Sequence, residues 1–78
     1  MDRITEMFAF VTTDPITGDE GLCAFLSPEL GVMLPMVGAD LRRVESLRLQ
    51  AHAIAAQTGQ RVEVVRFTVR ETIEVIDP

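Results

Sequence analysis

The chain contains no lysine, asparagine, tryptophan or tyrosine, and it has one cysteine, Cys23, and one histidine, His52. A single cysteine cannot close an internal disulfide. One cysteine and one histidine also fall short of the four ligands of a structural zinc site. Nucleophilic catalysis needs an activated nucleophile beside a base, and Cys23 with His52 is the one candidate pair of that kind. Cys23 sits in an apolar run and His52 near the edge of a helical stripe, so they read as a small buried thiol and a boundary histidine. The Asp-x-Asp-x-Asp-Gly pattern of a calcium loop is absent; Asp14 suits a turn, while Asp19 and Glu20 suit a solvated loop. Gly18, Gly21, Gly31 and Gly38 are scattered and form neither GxGxxG nor a phosphate-binding loop. These absences predict a protein with no catalytic residues, no metal and no cofactor, and therefore not an enzyme.

Lysine is missing from a chain with seven cations, so all seven are arginine: Arg3, Arg42, Arg43, Arg48, Arg61, Arg66 and Arg70. Lys, Asn and Tyr have AT-rich codons, and their joint absence points to a GC-rich genome. The net charge of −5 disfavours binding to nucleic acid. Asp2 and Glu6 interrupt the N-terminus, so no leader peptide is expected. The uncharged stretch Leu30 to Ala39 is too short and too rich in Gly and Pro to span a bilayer. A cytoplasmic protein without membrane contact, with Cys23 reduced, is the expectation.

What is present is apolar material, at 47% of residues and a mean hydropathy of +0.24. Residues 4–13 read as a strand, with Ile4, Phe8 and Phe10 on one face and Met7, Ala9 and Val11 on the other. Asp14-Pro15-Ile16-Thr17-Gly18-Asp19 predicts a hairpin: Asp accepts backbone hydrogen bonds, Pro presets φ and Gly18 supplies the left-handed residue. Residues 21–27 form the return strand, Ser27 to Gly31 a second turn, and residues 32–37 a third strand with Pro35 at an edge. From Leu22 to Ala39 the one charged residue is Glu29, which predicts burial or a contact surface.

Asp40 suits the N-cap of a helix reaching about Thr58. Leu41, Val44, Leu47, Ala51, Ile54, Ala55 and Thr58 form its apolar stripe, Gly59 ends it, and Leu49 lies off the stripe. Residues 61–76 alternate as an extended segment, with Val65, Phe67, Val69, Ile73 and Val75 on one face and Arg66, Thr68, Arg70, Thr72 and Glu74 on the other. Val62 and Val64 break this parity and suggest a bulge near Val64. The resulting architecture is a single α+β domain, residues 1–78. Its small antiparallel β-β-β-α-β sheet has one helix packed on one face, with Val65, Phe67 and Val69 turned toward that helix.

A chain of this size is marginally stable alone, and with no disulfide or metal a second subunit is the supplement to expect. One helix cannot cover both faces of a sheet whose central strand is apolar on both sides. Met33, Met36, Leu49, Ile73, Val75 and Ile76 are candidates for a dimer or partner surface. Arg42, Arg43, Arg66 and Arg70 are candidates for holding an anion or an acidic partner, since arginine forks suit phosphates and carboxylates.

The run DPITGDEG, followed by SP, PMVGAD, a helix, TG and VVRFTVRETIEVI, resembles short uncharacterised proteins of phages and prophages of GC-rich bacteria. That resemblance implies an accessory role toward a host. Together the readings predict a homodimeric, non-enzymatic interaction protein that binds a host or partner protein. The alternative is a small-ligand module whose arginines hold a phosphorylated or acidic metabolite at a dimer cleft.

Overall fold

A computed structural model describes residues 3–78; Asp2, one of the two acidic residues that argue against a leader, lies outside the described residues. The elements are β1 (Met7–Thr13), β2 (Glu20–Leu22), β3 (Ala24–Ser27), β4 (Val32–Pro35), β5 (Val37–Gly38), α1 (Leu41–Thr58) and β6 (Glu63–Phe67). The fold is a small α+β arrangement of antiparallel strands and one helix.

The first hairpin forms as its turn chemistry dictates. The Asp14 carboxylate accepts from the Ile16 and Thr17 N–H groups, the Gly18 N–H donates to the Asp14 carbonyl, and Gly18 has a φ of 78°. β1 then pairs with β2 through Val11–Leu22, Thr12–Gly21 and Thr13–Glu20. The expected return strand does not run straight to Ser27. It bends at Cys23, and β3 leaves to pair with β4 in a separate two-stranded sheet. The third strand breaks in the same way at Met36, and β5 comes back to β1.

The joint is closed by three backbone bonds. Cys23 N–H donates to the Phe10 carbonyl, Phe10 N–H donates to the Met36 carbonyl, and Met36 N–H donates to the Cys23 carbonyl. The N–H and C=O of one extended residue point to the same edge of its strand. β2 and β5 therefore meet end to end along one edge of β1, and the Ala24–Pro35 hairpin projects from that point. Pro35 sits at the end of β4, next to the break.

β6 pairs with the other edge of β1 in continuous register, from Met7–Phe67 to Val11–Glu63. No bulge interrupts it at Val64. The register also corrects the expected facing. Phe8 lies opposite Arg66 and Phe10 opposite Val64, so the even residues share the helix side. Val65 and Phe67 accompany Ala9 and Met7 on the outer face. Both faces of β1 are apolar, so alternation alone did not decide which one meets the helix; the two phenylalanines, the larger payload, take that side.

Asp40 caps α1, its carboxylate accepting from the Arg43 N–H at 3.0 Å. Gly59, with a φ of 69°, closes the other end by donating to the Ala55 carbonyl. The core is Phe8, Phe10, Cys23 and Met36 from the sheet, packed on Val44, Leu47 and Ala51 from the helix. Phe25, Ile54 and Val62 pack around it. Leu41, placed on the apolar stripe by its spacing, is exposed in the first helical turn.

The long terminal strand is also shorter than its alternation suggests. Pairing ends at Met7–Phe67, and residues 68–78 continue without turn or bend and, among the described residues, without a partner strand. The radius of gyration is 14.5 Å, against about 11.5 Å for a compact chain of this length. Two projections fit that excess: the β3–β4 hairpin and the C-terminal segment.

Candidate functional site

Neither candidate set gathers in one place, and both reach into the segment after β6, which carries Arg70 as well as Ile73, Val75 and Ile76. On the helix side, Gly38, Phe8 and Arg66 form one row across β5, β1 and β6. The aliphatic stem of Arg43 lies where a Cβ on Gly38 would project, so Arg43 and Arg66 flank Phe8 from opposite edges. Arg66 stacks over the Phe8 ring, its guanidinium carbon 5.3 Å from the centroid, and pairs with the Glu6 carboxylate at 3.6 Å. Arg42 is exposed in the first turn of α1. Arg70 lies beyond the end of β6, in an open cleft of about 290 Å³ shared with Ile4, Met7, Phe67 and Val69. Thus Arg43 and Arg66 share one face beside Phe8, while Arg70 stands at the cleft.

The apolar candidates separate more sharply. Met36 is fully buried at the Cys23–Phe10 joint, so it belongs to the core and is not available to a partner. Met33 is 60% exposed on the projecting hairpin, and its direct cross-strand partner Leu26 is 61% exposed. Alternation along β3 turns Phe25 toward the core and Leu26 away from it. Sequence reasoning missed Leu26. The signal was the period-2 pattern of Ala24-Phe25-Leu26-Ser27, hidden because every side chain in the run but Ser27 is apolar. Leu30 and Val32, at the turn, are exposed as well. Leu49 is exposed on α1, and Ile73, Val75 and Ile76 are exposed along the C-terminal segment.

A second apolar area covers the outer sheet face. Leu22 and Phe67 are more than half exposed there, and Met7, Val37 and Val65 are half-buried. α1 packs on the other side of the sheet and cannot reach them.

Cys23 is buried in the core. Burial pushes its thiol above the ordinary value, partly offset by a hydrogen bond with Thr12. Reactive thiolates need exposure and nearby positive charge, and Cys23 lacks the first. His52 is exposed at the rim of a shallow groove between α1 and β6, floored by Phe10, Ala51, Val62 and Val64. Cys23 does not line that groove. Arg48, on the same rim, is paired with Glu45 at 2.8 Å. Among the described residues no helix is long and apolar enough to cross a membrane.

Compared with known proteins, the chain matches no family model, no curated protein and no solved structure.

Proposed function

We propose that this chain is a non-enzymatic interaction protein that works as a homodimer and binds a partner protein through the projecting β3–β4 hairpin. One observation carries the reading. Leu26 and Met33 face each other across the ladder, both well exposed, on a hairpin whose opposite face is anchored by Phe25. Surface apolar residues scattered singly are ordinary, whereas a contiguous patch marks a contact surface. Methionine beside leucine suits a protein partner because the thioether repacks against varied shapes. The resemblance to phage-type accessory proteins makes a host protein the natural partner and the cytoplasm the place of meeting.

The small-ligand reading rests on Arg43 and Arg66 flanking Phe8. It is the weaker of the two, because Arg66 is already engaged by Glu6 and by the Phe8 ring.

Immobilised wild-type protein and a Leu26→Asp/Met33→Asp variant should be compared for capture from a lysate of GC-rich bacteria, with melting curves confirming that both are folded. The expected result is a protein retained by wild type and lost by the variant. Equal capture by both would overturn the hairpin assignment. Stabilisation by phosphorylated metabolites, abolished by Arg43→Ala, would transfer the function to the arginine pair.

A further inference from the structure

We infer that residues 68–76 are an exchange strand that pairs antiparallel with the same residues of a second copy, with Thr72 on the two-fold axis. This rests on the homodimer reading and specifies how the dimer is held. In the single chain the segment has the pattern of a strand and none of its partners. It runs without a turn or bend from the end of β6, and Val69 and Ile73 are 93% and 90% exposed. The β1–β6 ladder opens after Met7–Phe67 into the cleft between Ile4–Met7 and Phe67–Glu71, and among the described residues the segment has no partner strand. Nine residues span about 30 Å as a strand, long enough for an intermolecular ladder.

The register follows from the charges. Two antiparallel neighbours in one sheet are related by a two-fold axis perpendicular to it, so paired residues share a face. With Thr72 on the axis, Arg70 of each copy lies opposite Glu74 of the other. Val69 lies opposite Val75, and the two Thr72 side chains meet. Opposite-charge, apolar and Thr–Thr pairs are each favourable across a ladder. Centring on Arg70, Glu71 or Glu74 instead sets like charges directly opposite, which is unfavourable. Centring on Ile73 sets Arg70 against Ile76, Glu71 against Val75 and Val69 against Asp77, so that each of these charges meets hydrocarbon and no opposite-charge pair forms. The Thr72 register sets Glu71 against Ile73, but of these registers it alone forms opposite-charge pairs without setting like charges opposite. It places Val69, Ile73 and Val75 of both copies on the same outer face as Phe67 and Val65, extending the apolar row across the dimer with Glu71 of each copy its one charged member.

The test uses full-length chains. Sedimentation equilibrium should show a dimer for wild type and weaker association, by about tenfold in the dissociation constant, for Arg70→Glu or Glu74→Arg alone, since each places two like-charge pairs in the ladder. The double variant R70E/E74R should return close to wild type. Thr72→Cys should form an intermolecular disulfide under mild oxidation, and Thr68→Cys should not. A wild-type monomer would overturn the homodimer reading itself. A wild-type dimer indifferent to both single reversals, or one that cross-links no better through position 72 than through position 68, would overturn the strand exchange and leave the homodimer standing.

Discussion

Arg66 lies with its guanidinium carbon 5.3 Å from the centre of the Phe8 ring, and the two residues are direct partners in the β1–β6 ladder. A charged residue therefore occupies the helix side of the sheet. It does so by laying its stem along the aromatic face and keeping its head at the rim, where Glu6 meets it. Exposed ion pairs contribute little, whereas stem packing and cation–π contact survive salt. Arg66→Ala should cost on the order of 1 kcal/mol, and Glu6→Gln less than about 0.5 kcal/mol. Urea titrations at low and high salt will separate the two, since the Arg66→Ala loss should persist in high salt.

The reversed facing of β6 makes a sharper contrast. Phe10 is buried against Leu47 and Ala51 in the core, while Phe67 is 54% exposed on the outer face. Phe10→Ala should cost about 3–5 kcal/mol by lost transfer plus cavity, most of the stability of a domain this small. Phe67→Ala should cost less than about 1 kcal/mol in the single chain. Thermal melts at low protein concentration check this; equal losses would mean that the ladder register is wrong.

Two strand glycines should behave oppositely. A Cβ on Gly38 would collide with the Cβ and Cγ of Arg43, whereas one on Gly21 would meet nothing within 4 Å. Gly38→Ala must displace the first turn of α1 and should cost about 1–3 kcal/mol. Gly21→Ala should change stability by less than about 0.5 kcal/mol. Chemical denaturation of the two variants, read against wild type, tests the approach of α1 to β5.

Cys23 should make the fold sensitive to alkali. Burial raises its pKa above the ordinary 9.0, so the folded state holds the thiol proton where the unfolded chain releases it. The stabilisation is full below the unfolded value and is lost as pH rises from there through the raised folded value. Stability measured by denaturant should therefore decline above about pH 9, and Cys23→Ala should remove that slope. Native-state labelling of Cys23 by a thiol reagent should be slow.

The helix cap provides a simpler check. Asp40→Ala leaves the Arg43 N–H unpaired and should cost about 0.5–2 kcal/mol, with Asp40→Asn recovering most of it. Helical circular dichroism during melting follows both variants.

Local chemistry makes several elements legible from the residues alone. Asp14 and Gly18 fix the first turn, and Asp40 and Gly59 bound the helix, because each acts through a backbone group a few residues away. Val44, Leu47 and Ala51 follow from helical spacing. What the residue order does not disclose is long-range. Nothing local to Cys23 or Met36 signals that the chain changes sheet there, since the joint is made by their bonds to Phe10 and to each other. The facing of β6 is hidden for the same reason: Val62, Val64 and Val65 offer apolar side chains to both sides, and the choice is made by pairing with Phe8 and Phe10. The candidate surface suffers accordingly, with Met36 assigned outward and Leu26 overlooked.

The β1–β6 ladder also shapes how the chain reaches its fold. It joins residues roughly 50–60 positions apart, and pairings of such separation close slowly because loop entropy is lost before any contact is gained. β1 can acquire its hairpin neighbour within moments of collapse, but one of its edges stays open until residues 63–67 arrive. On the ribosome, where β1 emerges first, that edge stays exposed through synthesis of the whole helix. An open, apolar β-edge in a nascent chain is a site for misassociation. Refolding should therefore proceed in two measurable stages, helix signal early and protection of the Ala9 and Val11 amides late, with yield falling as the protein concentration rises.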